Sequence, residues 1–333
     1  MTRVLVTTDY LRPGGEVDRY LRGAGLEPVY RPLVGPRDPD ELVVALKGIS
    51  AALVGNEPMT AEVLAQAPDL RVIVRTGVGY DSIDVAAAAR LGITVSNLPG
   101  INANAVAEYT MGLLLAAARG LVQSATGVAA GTWPRADGQE LRGANLGLVG
   151  YGTVARAVVP FARVFGMNVL CVTGVPRDQR VGHDVRFVDL PELLAGSDYV
   201  SLHTALTART RGLIGMAELH QMRRTAFLVN TARGGVVDEV ALATAVRDGT
   251  IAGAHLDVAA QEPLPAGSPL RGVDGIVVYS HLAGQTAQAR AAAGMEGAVE
   301  LVAALAGQAR HCVNARHQTA ITADAGVDGP TYS

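Results

Sequence analysis

The chain has 333 residues, enough for two cores rather than one, and 49% of them are apolar while only 18% are charged, which excludes a disordered polymer. A formal net charge of −3 gives no general attraction to nucleic acid or to an anionic membrane surface. Apolar runs are broken by Gly, Pro and charge before any reaches the length of a bilayer span, and the N-terminus reads as a first strand, not a signal peptide, so the expected compartment is the cytoplasm.

Strand-like and helical patterns alternate along the chain, the mark of parallel α/β architecture. In the first section strands are expected at Arg3–Thr8, Ala51–Gly55, Val72–Arg75 and Thr94–Ser96, with helices near Glu16–Ala24, Pro39–Leu46, Thr60–Gln66 and Val85–Arg90. The stretch Ala103–Leu121 is apolar on nearly every face and is expected as one buried helix. A second unit starts near Gly143, with a strand at Leu146–Val149, a glycine-rich turn, a helix over Ala155–Phe165 and a strand at Asn168–Thr173. Cys171 lies inside that last strand and reads as a buried, inert thiol; Cys171 and Cys312, the two cysteines, are too far apart to be a disulfide framework or metal cluster. Further strands are expected at Tyr199–His203, Ala226–Asn230, Gly253–Asp257 and Ile276–Tyr279, and the polar tail after Asn314 is expected to be mobile.

The turn Gly147-Leu-Val-Gly150-Tyr-Gly152-Thr-Val-Ala155 has the spacing of a dinucleotide fingerprint. Gly150 permits the tight turn, Gly152 lets backbone approach a pyrophosphate, and small Ala155 lets helix and strand pack closely. Strand before, helix after and a second strand beyond supply the context such a motif needs. The second strand ends Cys171-Val-Thr173-Gly174-Val-Pro-Arg177, without the acid that would receive the ribose hydroxyls of NAD. Thr173 and Arg177 suit a 2′-phosphate, so NADP is favoured over NAD.

Three later segments put polar residues at strand ends: Asn230-Thr231-Ala-Arg233-Gly234, Asp257-Val-Ala-Ala-Gln-Glu262-Pro263, and Tyr279-Ser-His281-Leu-Ala-Gly284. An Arg, a Glu or a His alone in a loop is ordinary; the three together at the carboxyl ends of strands beside a nucleotide turn are not. With Arg75-Thr-Gly-Val78-Gly79-Tyr-Asp81, Asn97-Leu-Pro-Gly100 and Ala105-Val-Ala-Glu108-Tyr-Thr110, these segments resemble the D-isomer-specific 2-hydroxyacid dehydrogenase family, whose members include glyoxylate/hydroxypyruvate reductases and phosphoglycerate dehydrogenases, over nearly the whole chain.

The resemblance implies two Rossmann-like domains with parallel sheets and a cleft between them: a discontinuous substrate domain, 1–99 plus 288–333, and a dinucleotide-binding domain, 100–287. It implies hydride transfer between nicotinamide and the 2-carbon of a small 2-hydroxy or 2-keto acid. On this chain the family's catalytic Arg, Glu and His fall on Arg233, Glu262 and His281. Arg233 would bind the substrate carboxylate, His281 would act as acid and base, and Glu262 would orient it and favour its protonated form. Arg75 and the backbone at Val78 and Gly79 would hold the acid, while Thr153, Val154, Thr204, Ala205, Thr210, Thr231, Asp257 and Gly284 would line the cofactor, Asp257 near the nicotinamide. A homodimer with the segment around Trp133 reaching to the partner is also implied.

This sequence departs from the family at Ser280, where Pro usually precedes the His, at Ala259 in place of an aromatic, and at Ala205 in place of a Pro. Glu262, where formate-oxidising relatives have Gln, argues against formate, and Val78, where phosphite-oxidising relatives have Lys, argues against phosphite. Two alternatives stay open at this point: a phosphonate or aldehyde biosynthetic intermediate as substrate, and a non-catalytic dinucleotide-sensing protein like a corepressor.

Overall fold

The computed structural model describes residues 1–32, 38–176, 178, 180, 182 and 184–315. Most of the polar tail after Asn314 therefore lies outside the described residues, as does Arg177. The chain divides into two compact units, Met1–Asn102 with Ala287–Ser333, and Ala103–Thr286.

The first unit runs β1 (Thr2–Val6), α1 (Glu16–Gly23), β2 (Leu26–Tyr30), α2 (Pro39–Ala45), β3 (Ala51–Val54), α3 (Ala61–Ala65), β4 (Val72–Arg75), α4 (Val85–Arg90) and β5 (Thr94–Ser96). Its sheet is parallel in the order β2-β1-β3-β4-β5. All four residues of β3 are buried, as expected of a strand covered on both faces. Helices begin where short polar side chains take the place of missing carbonyl partners: Asp38, Thr60 and Asp84 accept from Asp40, Val63 and Ala87 amides. Pro28 interrupts the apolar reading of β2, and the sheet accommodates it by keeping β2 at an edge.

The second unit runs α5 (Ala103–Arg119), α6 (Leu121–Ala129), β6 (Asn145–Val149), α7 (Thr153–Val164), β7 (Asn168–Val172), β8 (Arg186–Phe187), α8 (Leu190–Gly196), β9 (Tyr199–Leu202), α9 (Met216–Leu219), β10 (Phe227–Asn230), α10 (Glu239–Arg247), β11 (Gly253–Leu256) and β12 (Ile276–Val278). The chain then returns to the first unit with α11 (Ala287–Leu305). The seven-stranded sheet has the order β12-β11-β10-β9-β6-β7-β8 and is parallel throughout. Its direction of winding reverses between β6 and β9, so the loops after those strands open a crevice at the carboxyl end of the sheet.

The buried helix expected over Ala103–Leu121 is α5, two residues shorter, and a second helix that was not expected, α6, follows it. Gly120 adopts φ +57°, a left-handed conformation that ends α5, and α6 follows with no buried residue. No single described helix is long and apolar enough to cross a membrane. Cys171 is fully buried, and burial pushes its thiol up to about 12, which fits an inert role.

Two histidines, His203 and His255, set a pH limit on the fold, burial lowering each from 6.5 to about 4. His255 on β11 has no exposed surface, and its Nδ1 lies 3.0 Å from the Tyr279 hydroxyl. Burial lowers its pKa from 6.5 to about 4, so the folded chain holds it neutral. Unfolded, it takes up a proton near pH 6.5, which the folded form resists down to about 4. Its contribution therefore makes stability fall as pH drops through that window, by up to about 1.4 kcal/mol per pH unit. Urea midpoints should decline between about pH 6.5 and 4.5, and the decline should be shallower in His255→Ala; equal slopes in the two proteins would show that His255 is not the group responsible.

Candidate active site

The nucleotide turn is built by close approach. Gly150 leaves β6 with φ +102°, and a side chain there would meet the His203 carbonyl oxygen at 2.5 Å, so the loops after β6 and β9 touch only because this residue is glycine. Gly152 caps α7 without a side-chain hydrogen bond, and the space where its side chain would stand is open. Exposed amides at the positive end of α7 with room in front of them fit a pyrophosphate. Ala155 is completely buried, in the close-packing position of the motif. Thr153 and Val154 form the first turn of α7.

Thr173 directly follows β7, and its hydroxyl accepts from the Val175 amide at 3.2 Å. Arg180, which has no place in the sequence motifs, donates Nε to the Val175 carbonyl at 2.9 Å and lies over the Phe187 ring, so a guanidinium is fixed beside that turn. In the loop after β9, the Thr210 hydroxyl donates to Ala205 O at 2.6 Å and accepts from the Thr207 amide at 2.8 Å, which folds Thr204–Thr210 into a compact turn. The Thr231 hydroxyl is 3.1 Å from that of Thr110, which in turn donates to Val106 O.

Asn230 closes the loop that carries Arg233: its side-chain amide donates to Arg233 O at 2.9 Å, and its Oδ1 accepts from the Ala232 amide at 3.0 Å. The next residue, Gly234, packs against the backbone of Ala259 and Ala260, which any side chain at that position would overlap. Glu239, at the start of α10, accepts from the Ala260 amide at 2.6 Å. Asn230 thus closes the Arg233 loop, and Gly234 and Glu239 tie it to the Glu262 loop. The sequence shows all three inside or beside its motifs but gives them no role; a polar Asn at the end of an apolar strand is the available signal.

Glu262 accepts from the Ala259 amide through Oε1 at 3.0 Å and meets His281 Nδ1 through Oε2 at 2.7 Å. Burial by itself would raise the Glu262 carboxyl; the hydrogen bond and charge of His281, the Ala259 amide and the charge of Arg233 outweigh it and hold the group below its ordinary value. His281 stands at φ +57°, the one left-handed non-glycine among the described residues. Asp257 holds it there. The His281 amide donates to Asp257 O at 2.8 Å, and the two carboxylate oxygens accept from the Leu282 and Ala283 amides at 2.8 and 2.9 Å. Asp257 is 1% exposed, and Tyr109 lies against it: burial first, then the charges of Asp257 and Tyr279 and a hydrogen bond to Asp257, push the Tyr109 hydroxyl up to about 12. Gly284 follows this turn.

The second unit therefore brings Arg233, Glu262, His281 and the described positions expected to line a cofactor onto the carboxyl end of one sheet. Arg75, Val78 and Gly79 belong to the first unit, at and just after the end of β4, where the Val78 carbonyl accepts from the Asn97 side chain at 2.7 Å.

Comparison with known proteins identifies the family. The NAD binding domain of the D-isomer specific 2-hydroxyacid dehydrogenases matches residues 111–283. The chain belongs to that family. It is 39% identical over 255 residues to a glycerate dehydrogenase of Methylorubrum extorquens, covering 74% of this chain and 79% of the relative. It is 43% identical over 244 residues to an (S)-sulfolactate dehydrogenase of Chromohalobacter salexigens, covering 72% and 79%. The solved TT0316 protein of Thermus thermophilus superposes with a TM-score of 0.83 at 37% identity, over 94% of this chain and all of that one. The protein is an NAD-dependent oxidoreductase of 2-hydroxyacids with two parallel α/β units. Among the described residues, no group of three or more His, Cys, Asp or Glu could hold a metal ion.

The overlap at Gly234 yields a test. Gly234→Ala should displace the Arg233 and Glu262 loops together, lowering stability by about 1–3 kcal/mol as an overpacked site does and lowering kcat/KM at least tenfold; a variant with wild-type melting temperature and wild-type kcat/KM would show that the close approach is dispensable.

Proposed function

We propose that Arg233, Glu262 and His281 are the catalytic residues of a reductase of small 2-keto acids, and that NADPH is the preferred cofactor. The observation that carries the assignment is the 2.7 Å contact of His281 Nδ1 with Glu262 on a turn clamped by Asp257. With Nδ1–H given to the carboxylate, Nε2 is the atom that exchanges a proton with substrate oxygen. In reduction His281 donates that proton to the oxygen becoming a hydroxyl; in oxidation it takes the proton back. Glu262, kept ionised, stabilises the cationic imidazole before transfer. Arg233 binds the carboxylate and neighbouring carbonyl oxygen in its two-pronged geometry, polarising the carbonyl. In the first unit, Arg75 and the Val78 and Gly79 amides are the candidate substrate-binding groups.

Bound nicotinamide supplies or accepts the hydride. The residues that would hold the dinucleotide are Gly150, Gly152, Thr153 and Val154 for the phosphates, the loop of Thr204, Ala205 and Thr210, and Thr231 and Gly284 farther along the sheet edge. The absence of an acid at Thr173, with Arg180 beside it, supports a 2′-phosphate there; Arg177, outside the described residues, is the second candidate cation. The functional form is a homodimer. That reading is supported by α6 having no buried residue and by exposed Leu121, Val128 and Trp133, the last 75% exposed, on one continuous arm.

Two variants test the assignments. His281→Gln should lower kcat by at least a hundredfold while dinucleotide affinity changes less than threefold; loss of dinucleotide binding in a folded variant would remove His281 from the proton-transfer role. Thr173→Asp should shift the NADPH/NADH ratio of kcat/KM toward NADH at least tenfold, and an unchanged ratio would show that cofactor choice is set elsewhere.

A further inference from the structure

The turn Asn97-Leu-Pro-Gly100 has no part in the function proposed above, yet it is bonded to the loop that carries Val78 and Gly79. Asn97 directly follows β5 and is buried, whereas Val78 is 40% exposed. Two bonds join the segments. The Leu98 amide donates to Gly77 O at 2.9 Å, and the Asn97 side-chain amide donates to Val78 O at 2.7 Å. A carbonyl oxygen can only accept, so the Asn97 atom that faces Val78 is its nitrogen.

These bonds fix more than two carbonyls. The Gly77–Val78 and Val78–Gly79 peptides are trans, and in a trans peptide N–H and C=O point in opposite directions. With both carbonyls turned to Asn97 and Leu98, the Val78 and Gly79 N–H groups are both turned away, toward one side of the loop. Neither donates to another group among the described residues. Consecutive N–H groups on one side form a concavity suited to an anion. The first carbonyl is held by main chain, which any residue but proline supplies at 98. The second depends on the side chain of Asn97.

Asn97 is held from behind by the C-terminal segment of the same unit. Its main-chain amide donates to His311 O at 3.3 Å, Cys312 forms an antiparallel bridge with Ser96, and the Val313 amide donates to Val95 O at 2.8 Å. Asn314, fully buried, accepts from the Val95 amide at 3.0 Å and donates to Ile93 O at 2.8 Å. Farther back, the Glu300 carboxylate of α11 accepts the Arg310 and His311 amides, each at 3.0 Å. The edge strand β5 is thus closed along its free side, and Asn97 stands at the end of that pairing.

We propose that Asn97 is a positioning residue: by holding the Val78 carbonyl it turns the Gly79 amide to the same side as that of Val78, and the two form a cradle for the carboxylate of the acid. The inference rests on the proposed role of those amides and adds the residue that orients them. Asn97→Asp keeps the shape of the side chain but presents only acceptors, so it repels the Val78 carbonyl; Asn97→Ala leaves that carbonyl unpaired without repelling it. Were Asn97 only filling space, the order would be reversed, with Asn97→Asp harmless and Asn97→Ala damaging.

The test applies two measurements to the intact enzyme and these variants. One is steady-state kinetics with glyoxylate and NADPH. The other is amide NMR of enzyme carrying isotope-labelled valine and glycine, titrated with oxamate, an unreactive mimic of a 2-keto acid. Oxamate should shift the Val78 and Gly79 signals of the wild type. In Asn97→Asp, KM for glyoxylate should rise about tenfold or more with kcat within about threefold and KM for NADPH within about twofold; the rise should be smaller in Asn97→Ala. In both variants the Gly79 response should weaken more than that of Val78, whose peptide Leu98 still holds, so Asn97→Ala decides the matter if Asn97→Asp does not fold. An unchanged KM, an Asn97→Ala effect as large as that of Asn97→Asp, or equal weakening of both responses overturns the positioning role and leaves the amides as ligands. Wild-type signals that oxamate does not move, in an enzyme that reduces glyoxylate, overturn the binding role of the amides and the inference with it.

Discussion

The site depends on one carboxylate. Asp257 ends β11 inside the protein, and its two oxygens and its carbonyl accept three consecutive amides, those of His281, Leu282 and Ala283. Three bonds from one residue to one turn over-determine its backbone, which is what a side chain needs in order to sit at φ +57° without being glycine. The left-handed turn sends His281 out toward Glu262, and the Ala259 amide aims Glu262 back at His281. Ser280 fits this picture. The ring of a proline is one way of stiffening the approach to the histidine, and here hydrogen bonds donated to Asp257 by the amides of His281, Leu282 and Ala283 impose the constraint from the other side of the turn.

Around this centre, the loops are positioned by contacts that a larger residue would forbid. Gly150 brings the β6 and β9 loops together, and Gly234 brings the Arg233 loop onto Ala259 and Ala260. Each contact joins segments distant in sequence, so the spacing between Arg233 and Glu262 is set by backbone packed on backbone. Such contacts are less compliant than side-chain packing, and they suit groups that must be held to within a fraction of an ångström for proton transfer.

Much of this was legible in the sequence, for physical reasons. Buried parallel strands read as apolar runs, so β3, β4, β6 and β10 were placed to within a residue or two, and the glycine turn was visible because phosphate binding needs small residues at fixed spacing. The strand-end positions of Arg233, Glu262 and His281 followed from the sheet. Less legible were features that depend on partners far along the chain. Asp257 reads as a group for the nicotinamide, and no local pattern announces that its carboxylate also accepts the Leu282 and Ala283 amides. The helix α6, which resumes directly after left-handed Gly120, was not foreseen in the sequence. The two-residue β8 is a strand only because β7 offers it an edge. Tyr10 and Arg290 lie in parts of the sequence with nothing in common, and only the course of α11 over the sheet makes them neighbours.

The two units carry different kinds of constraint. In the second, the functional groups are fixed by main-chain amides, so their positions are indifferent to which acid is bound. In the first, the polar groups beyond the sheet are side chains: the Tyr10 ring under the Arg290 guanidinium, Arg75 with Asn56, and the Thr7 and Thr8 hydroxyls. Side chains at such places can be exchanged without disturbing the sheet beneath them, because the strands are held by their own ladder and by apolar packing on both faces.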